Sequence, residues 1–323
     1  MNKTDRSAII NRIIEKINES NTIAIAGHVS PDGDAVASCL ALAMSIKKLG
    51  KTPVVLLEEM PKRYNFMNGG EFVRLDSPCE APDLFICCDC ASKERIGKFE
   101  EAFDKAGATI LIDHHVSNIA YGKINYIEPG ASSASEMVYN VIDTIGNMDK
   151  DIASVIYAGI LFDTGGFRFK STSPETMIKV SKLMEFGIPF DKIYTDVLHV
   201  HSYQEALIFS KAVSKMKFLG ELPIVYSVVT TEEMDSVGAT RADLGGVVSY
   251  MLNTASAEIS IFVSQVSESE SKVSFRSINA DVNVIAANWG GGGHVNAAGA
   301  TLKTEPEAAL AEVLNFVSEG YSR

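Results

Sequence analysis

The sequence predicts a two-domain α/β protein, in which a doubly wound parallel sheet precedes a smaller α/β domain. Three observations favour this fold class. The chain has 323 residues, which is more than one domain usually holds and enough for two cores. Short apolar runs alternate with helical periodicity in its first part, as they do in βαβ units. Polar side chains directly follow several of these runs, at the positions where open parallel sheets bind ligands.

Helices and strands alternate in the N-terminal part of the chain. Isoleucines at helical spacing predict a first helix that ends near Ser20. A second helix is predicted over Ala35–Leu49 and is closed by Gly50. A further helical stretch is predicted over Ile96–Lys105. The strands are predicted over Thr22–Ala26, Pro53–Leu57, Leu84–Cys88 and Thr109–Ile112.

The second part of the chain is predicted to begin with helices. The stretch from Ser132 to about Phe209 is mostly helical, and one helix starts with Ser173 as N-cap and Pro174 at the first helical position. The smaller domain follows, with predicted strands over Leu222–Val229, Glu258–Val266 and Val273–Ser277 and helices over Leu244–Asn253 and Pro306–Val317. We therefore expect a first domain over residues 1–195, a helical linker over 196–215 and a second domain over 216–323.

Composition and charge exclude several classes of protein. The formal charge of −12 argues against a protein that grips long duplex DNA through phosphate contacts. No apolar run approaches the roughly 20 residues that span a bilayer, so no membrane is expected. Five cysteines, three of them crowded around Asp89, favour the reducing cytoplasm. Whether the protein forms a homodimer stays open.

Metal-ligand side chains stand at the ends of four apolar runs. Carboxylate oxygens combined with imidazole nitrogens suit Mn²⁺ first, with Mg²⁺, Co²⁺ or Fe²⁺ as alternatives. Because the runs are separate in the chain, their convergence would assemble a site for two cations. The residues are His28, Asp32, Asp34, Asp89, Asp113, His114, His115 and Asp163.

Simpler interpretations exist for single segments. The loop from His28 to Asp34 also fits an Asp-Gly turn beside an exposed histidine, and Asp89 also fits a turn at a strand end. A thiolate metal site beside Asp89 is the less favoured alternative, because Cys87 and Cys88 are adjacent and point to opposite faces of a strand. We assign no role to the two remaining histidines, His199 and His201.

A second group of candidate residues lies in the smaller domain. The run Gly290–Gly293 precedes His294, and its backbone amides could approach an anion closely. Arg276 supplies a planar donor fork for phosphate, and Ser277 supplies a hydroxyl. The alternative is a flexible glycine loop.

Together these segments resemble the DHH phosphoesterase superfamily, in the subgroup with a DHH-associated C-terminal domain and of the NrnA-like type. The resemblance spans essentially the whole chain. The matching segments are His28-Val-Ser-Pro-Asp-Gly-Asp34, Asp89, Asp113-His114-His115, Asp163, Phe275-Arg-Ser277 and Gly290-Gly-Gly-Gly-His294.

The resemblance implies a role for each matched residue. His28, Asp32 and Asp89 would hold one cation, and Asp34, Asp89, His114 and Asp163 the other, with Asp89 bridging. His115 would face the scissile phosphate, and Asp113 would orient the histidines. The substrate would be held by Arg276, Ser277, Gly291, Gly292, Gly293 and His294. The resemblance also implies an active site in a cleft between the two domains.

The implied activity is metal-dependent hydrolysis of RNA or DNA oligonucleotides of two to five nucleotides, or removal of the 3′-phosphate from 3′-phosphoadenosine 5′-phosphate (pAp). Phosphodiesterases of cyclic or linear dinucleotides are the alternative. A RecJ-type exonuclease is less favoured because of the acidic charge. A non-catalytic nucleotide-binding module is disfavoured because every ligand position is filled. The sequence leaves the preferred substrate, the cleavage polarity and the physiological metal undecided.

Overall fold

The computed structural model describes residues 3–78 and 80–321, and the chain divides into two units, residues 1–200 and 201–323. The division falls between helices α7 (Phe190–Leu198) and α8 (Tyr203–Ser214). Helix α8 buries Ile208 and Ala212 in a core cluster of the second unit. The segment predicted as a linker therefore contains a helix that packs with the second unit.

Unit 1 is built on a parallel six-stranded sheet. Its strands are β1 (Thr22–Ala26), β2 (Thr52–Leu56), β3 (Val73–Arg74), β4 (Leu84–Cys88), β5 (Ala108–Asp113) and β6 (Ile124–Ile127). They lie in the order β3-β2-β1-β4-β5-β6, which confirms the doubly wound sheet. The strand order reverses between β1 and β4, and sheets of this type bind their ligands outside the carboxyl ends of the strands at such a point.

Helices cover both faces of this sheet. They are α1 (Lys3–Glu19), α2 (Gly33–Lys48), α3 (Glu100–Lys105), α4 (Ala134–Ile145), α5 (Lys150–Asp163), α6 (Pro174–Glu185) and α7. Alternation along the strands explains the two cores. Ile25 and Cys88 belong to the larger core, whereas Ala26 and Cys87 pack on the other face with Phe103. This confirms that the adjacent cysteines point to opposite faces and pack as small apolar side chains.

Unit 1 differs from the sequence prediction at one helix and two strands. The predicted helix Ile96–Lys105 is interrupted, because Gly97, inside a 3-10 segment over Lys93–Phe99, has a φ of +65°, and only Glu100–Lys105 forms α3. Strands β3 and β6 were not predicted. The apolar run before Asp163 is the last part of α5, within the stretch predicted as mostly helical, so this carboxylate comes from a helix end. The predicted start of α6 is confirmed, since the Ser173 hydroxyl caps it and Pro174 is its first residue.

Unit 2 contains a mixed sheet of six strands. They are β7 (Lys217–Phe218), β8 (Ile224–Val229), β9 (Ile259–Ser267), β10 (Glu270–Ser277), β11 (Gly292–His294) and β12 (Ala297–Leu302), in the order β11-β12-β10-β9-β8-β7. Only the pair β8–β9 is parallel among these described strands. The helices beyond α8 are α9 (Thr231–Asp235), α10 (Val247–Leu252), α11 (Val282–Ala287) and α12 (Pro306–Tyr321).

The two faces of the second sheet are covered differently. On one face, Val273 and Phe275 of β10 pack in a core cluster with Val313 of α12. On the other face, Phe262 of β9 packs with Met251 of α10, while the neighbouring part of β10 and β12 lines an open pocket of about 530 Å³. This pocket is called the β10–β12 groove below.

Within the described part of the chain, no helix combines the length and the apolar character needed to cross a membrane.

Candidate functional site: a carboxylate and imidazole cluster

The loop after β1 positions His28 for ligand binding. The ring is buried, and its Nδ1 lies 2.8 Å from the carbonyl oxygen of Val29. When Nδ1–H donates to that carbonyl, Nε2 keeps its lone pair, which is how second partners orient metal-binding histidines. His28 Nε2 lies 3.7 Å from Asp89 Oδ2 and 3.9 Å from Asp32 Oδ2.

Asp32 and Asp34 are placed by helix ends. Asp32 is the N-cap of α2, and its Oδ1 accepts the amide hydrogens of Asp34 and Ala35, so Oδ2 is left to face His28. Asp34 is fully buried, and its two oxygens accept the amides of Ala134 and Ser135 at the start of α4, at 2.7 and 2.9 Å. Sequence reasoning missed this anchoring, which joins residues about one hundred positions apart.

Gly33, between the two aspartates, allows α5 to approach the loop. A Cβ at this position would come within 2.6 Å of the Phe162 ring. Because Phe162 directly precedes Asp163, this close approach brings the end of α5 to the carboxyl edge of the sheet.

Asp89 lies at the centre of the cluster. It follows β4, has a φ of +53° and is 3% exposed. Aspartate tolerates this left-handed conformation better than most residues. Its Oδ1 lies 3.5 Å from both His114 Nε2 and His115 Nδ1, yet it has no hydrogen-bond partner among the described residues. A buried carboxylate oxygen in this state fits a cation-binding site, since native proteins rarely leave such an oxygen unsatisfied.

The two histidines after β5 have different surroundings. His114 Nε2 lies 3.3 Å from Asp163 Oδ2 and faces the carboxylates. His115 Nδ1 lies 2.7 Å from Asp113 Oδ1, so Asp113 orients His115, whereas both histidines were expected to depend on it. Asp113 Oδ2 in turn accepts a hydrogen bond of 2.6 Å from Asn118, which also donates to the carbonyl of Cys90. Asn118 was not predicted; its only sequence signal is its place a few residues after the Asp-His-His run.

The charges of the cluster are strongly coupled. Burial, and then the neighbouring charge of Asp89, raises the pKa of Asp34 well above its ordinary value. Burial also raises the pKa of Asp163, to about 7. Burial lowers the pKa of His114, but the surrounding carboxylates raise it more, to about 10. The cluster holds five carboxylates and three histidines, and bound cations would offset this negative charge.

The ligand atoms form three overlapping groups, each with its atoms within 4.8 Å of one another. In the described part of the chain, none of these groups contains a cysteine. Every residue predicted as a metal ligand belongs to at least one group. His115, which was predicted to face the phosphate, also belongs to one. The groups are His28, Asp32 and Asp89; Asp34, His114 and Asp163; and Asp89, His114 and His115. This set of hard oxygens and imidazole nitrogens fits divalent cations.

In unit 2, Arg276 and Ser277 lie on opposite sides of the sheet. Successive strand residues point to opposite faces. Arg276 lines the β10–β12 groove, where burial lowers its pKa, and its Nη1 donates to the Phe275 carbonyl. Ser277 is buried, and its hydroxyl donates to the carbonyl of Ala280. The expectation that Ser277 contacts substrate beside Arg276 therefore has no support in this geometry.

The glycine run is more ordered than a flexible loop. Gly291 and Gly292 line the groove, while Gly293 and His294 continue in β11, and His294 is exposed. The amides of Gly290, Gly291 and Gly293 already donate to the Ala287 carbonyl, the Ala286 carbonyl and Asn283 Oδ1. The run therefore does not present a row of free amides to an anion, as the sequence had suggested. A Cβ at Gly291 or Gly293 would clash with backbone carbonyl oxygens of β12, so these glycines allow the close approach of the two strands.

Comparison with known proteins agrees with these two units. Residues 22–160 match the family model described as the DHH family, N-terminal domain, and residues 221–321 match the DHHA1 domain. The chain is 32% identical over 313 residues to the bifunctional oligoribonuclease and PAP phosphatase NrnA of Thermus thermophilus. This alignment covers 93% of the chain and 90% of that protein.

Solved structures share the same architecture. An exopolyphosphatase-related protein from Bacteroides fragilis superimposes with a TM-score of 0.90 at 28% identity, covering 98% of this chain and 96% of that one. RecJ from Thermus thermophilus, solved in complex with Mn²⁺, gives a TM-score of 0.56 at 14% identity, covering 97% of this chain and 55% of that one. The latter shows a shared fold.

Proposed function

Because the chain belongs to the DHH phosphoesterase family, in the NrnA group that joins DHH and DHHA1 domains, we propose that it hydrolyses short oligonucleotides and removes the 3′-phosphate of pAp. The observation that carries this proposal is the convergence of eight ligand-type side chains at the carboxyl edge of the sheet in unit 1. The buried Oδ1 of Asp89, without a hydrogen-bond partner among the described residues, supports a site that binds metal.

The cations would be held as the resemblance implies. His28, Asp32 and Asp89 would bind one, and Asp34, Asp89, His114 and Asp163 the other, with Mn²⁺ as the proposed ion. When bound, such cations lower the pKa of a water molecule and neutralise charge on phosphoryl oxygens. Asp34 is held rigid by the amides at the start of α4, and His28 by the carbonyl of Val29. This preorganisation limits the rearrangement that binding requires.

His115 is proposed to act on the phosphate. The hydrogen bond to Asp113 raises the pKa of His115, which favours the protonated ring. With Nδ1–H directed to Asp113, the opposite nitrogen, Nε2, can donate a proton or a hydrogen bond to a phosphoryl or leaving oxygen. Asp113 would thus keep the ring in the productive orientation, and Asn118 would hold Asp113.

Unit 2 is proposed to bind the part of the substrate that does not react. Arg276 is half-buried in the groove and can form charge-assisted hydrogen bonds with a phosphate. His294 belongs to the strand that edges the sheet on the same side and is proposed as a second contact. The formal charge of −12 favours short or mononucleotide substrates over long nucleic acid. Four cysteines of the described chain are free, which supports the proposed cytoplasmic location.

A side-by-side assay tests the proposal. The purified protein is incubated with pAp, a labelled diribonucleotide, a labelled 24-mer and cyclic di-AMP, each with Mn²⁺ and with excess chelator. We expect hydrolysis of pAp and the diribonucleotide, little hydrolysis of the 24-mer, and none after chelation. Full activity in chelator would contradict the dinuclear site, whereas preference for cyclic di-AMP or the 24-mer would contradict the proposed substrate class.

A further inference from the structure

The 3-10 segment Lys93–Phe99, which follows β4, is tied to the loop that follows β1. Its Arg95 carbonyl oxygen accepts the amide hydrogen of Val29 at 2.8 Å. Gly97 packs against the same residue, since a Cβ there would be 2.5 Å from Val29 Cγ1. Val29 directly follows His28, and the order of the strands reverses between β1 and β4. Arg95 is therefore connected to the point of the sheet at which such folds bind ligands.

The guanidinium of Arg95 lies on the side of the cluster that Asp89 occupies. The hydrogen bond with the Cys87 thiol lowers the pKa of Cys90 most, burial opposes this effect, and the positive charge of Arg95 lowers the pKa further. Cys90 directly follows Asp89, the central carboxylate of the cluster. Arg95 thus reaches the neighbours of two predicted metal ligands, one through its backbone carbonyl and the other through its charge.

The charge of Arg95 has no partner within the described part of the chain. The residue is half-buried, and its guanidinium forms neither an ion pair nor a hydrogen bond there. The nearby carboxylates of α3 are already engaged, because Lys93 Nζ lies 3.3 Å from Glu100 Oε1 and 2.7 Å from Asp104 Oδ1. Partial burial of an unpaired cation is unfavourable. An anionic ligand would supply the missing partner.

We propose that Arg95 binds the non-bridging oxygens of the phosphate that reacts, on the side of the cluster formed by His28 and Asp89. The inference rests on the proposed function and adds to it a residue that positions the substrate. The guanidinium presents a planar fork of donors that matches two phosphate oxygens. A preorganised arginine at the reacting phosphate stabilises negative charge in the transition state. This role differs from that proposed for Arg276, which holds the part of the substrate that does not react.

Kinetics on two substrates test the assignment. Arg95→Ala should lower kcat/KM by about 10- to 150-fold, the range for losing a hydrogen bond to a charged group. The loss should be similar for a diribonucleotide and for bis-p-nitrophenyl phosphate, because both contain the phosphate that reacts. A loss confined to the diribonucleotide would place Arg95 at another part of the substrate. That result, or no loss on either substrate, would overturn the proposal.

A control and a rescue experiment exclude a merely structural role. Lys93→Ala removes a cation of the same segment that is already paired with carboxylates, so it should change neither rate. Because the backbone of Arg95 makes the contact with Val29, replacing the side chain leaves that contact in place. Added guanidinium ion should therefore restore part of the activity of Arg95→Ala, and a failure to do so would assign Arg95 to folding. If Arg95→Ala does not fold, Arg95→Lys carries the test and should show a smaller loss on both substrates.

Binding of inorganic phosphate separates this inference from the proposed activity. In calorimetric titrations of the Mn²⁺-loaded protein, phosphate should bind about 10-fold or more weakly to Arg95→Ala than to the wild type or Lys93→Ala. If the wild type hydrolyses no nucleotide but binds phosphate through Arg95, the proposed function fails and the phosphate contact stands. If the wild type hydrolyses nucleotides and Arg95→Ala binds phosphate with wild-type affinity, the contact fails and the proposed function stands.

Discussion

Asp89 lies at the centre of the proposed metal site: like His114 it belongs to two of the three ligand groups, and it lies beside both His28 and His114. Asp89→Asn keeps the side-chain shape and tolerates the positive φ, but it removes the negative charge. We expect weaker binding of both cations and loss of hydrolysis, because a bridging carboxylate serves two ions. Calorimetric titration of the metal-free protein with Mn²⁺ measures this. Two ions bound with wild-type affinity would show that Asp89 does not bridge.

Asp83 provides the control for that variant. It precedes the same strand at its amino end, where Oδ2 accepts the amides of Asn21 and Thr22. Asp83→Asn should leave Mn²⁺ binding unchanged, because the two ends of a five-residue strand are about 16 Å apart.

Asn118 is predicted to act only through His115. Asn118→Ala leaves Asp113 without its hydrogen bond of 2.6 Å and should lower kcat by about 10- to 100-fold, the usual effect of losing an outer partner at such sites. In a His115→Ala background, the same change should cost nothing further, which a double-mutant cycle measures. Additive losses would mean that Asn118 acts elsewhere.

Two readouts distinguish this role of Asn118 from a general structural one. Nitrogen-15 spectra of the metal-free protein report whether His115 keeps Nδ1–H directed to Asp113, and this signal should change in Asn118→Ala. The control is Asn147→Ala, which removes a half-buried asparagine that donates to the Ser45 carbonyl. That variant should leave both the spectrum and kcat unchanged.

At the scale of elements, a buried ion pair joins α4 to α6. Lys179 Nζ lies 2.8 Å from Glu136 Oε1, while Glu136 Oε2 accepts hydrogen bonds from Ser132 and Thr176. The hydrogen bonds of Glu136 fix Ser132, next to the start of α4, where the amides of Ala134 and Ser135 hold Asp34. The pair therefore supports the proposed metal site indirectly.

Removing one partner should be costly. Lys179→Met leaves a buried carboxylate without its cation, so we expect the free energy of unfolding to fall by about 3–5 kcal/mol. Replacing both partners, in Lys179→Met with Glu136→Met, should recover part of that loss. Lys192→Met, in an exposed pair with Asp196, should change stability by no more than about 1 kcal/mol. Equal effects of Lys179→Met and Lys192→Met in denaturant titrations would contradict this account.

The contribution of the Glu136–Lys179 pair to the free energy of unfolding is expected to decrease as the pH falls. Burial raises the pKa of Glu136, but Lys179 and the hydrogen bonds from Ser132 lower it more, so the folded value lies below the ordinary one. The pair's contribution is therefore present above the unfolded pKa, about 4.3, and is lost as the pH falls through the lowered folded value. The stability difference between wild type and Lys179→Met should be largest near pH 7 and shrink in acid. A difference that grows in acid would contradict this assignment.

At the scale of the whole molecule, unit 1 is expected to carry out the hydrolysis and unit 2 to bind the part of the substrate that does not react. Arg276 contacts no metal ligand in this proposal, so Arg276→Ala should leave Mn²⁺ binding intact. Losing a hydrogen bond to a charged group costs about 1.5–3 kcal/mol, or roughly 10- to 150-fold in kcat/KM on a diribonucleotide. Hydrolysis of bis-p-nitrophenyl phosphate, which needs less anchoring, should fall much less.

Two comparisons make the Arg276 experiment decisive. Arg241→Ala removes an exposed arginine of the same unit and should affect neither substrate. Equal losses on both substrates for Arg276→Ala would assign Arg276 to chemistry or folding rather than to anchoring.

The sequence by itself determined the fold class and the candidate metal-binding residues. Apolar runs and helical periodicity are local signals, and they located β1, β4 and β5 and the polar residues that follow them. Because parallel strands share one carboxyl edge, these signals already implied that His28, Asp89 and His114 converge. The position of Ser277 could also have been predicted, since successive residues of its predicted strand point to opposite faces and Ser277 directly follows Arg276.

Only the tertiary structure decided how distant segments meet. The end of α5 brings Asp163 to the sheet because Gly33 leaves space for Phe162. The amides at the start of α4 hold Asp34, about one hundred positions away in the chain. Local propensity carries no information about such contacts, because strand order, register and helix packing depend on residues far apart in the chain. The class of chemistry could therefore be predicted from the sequence, whereas the contacts that hold the candidate residues in place emerged from packing.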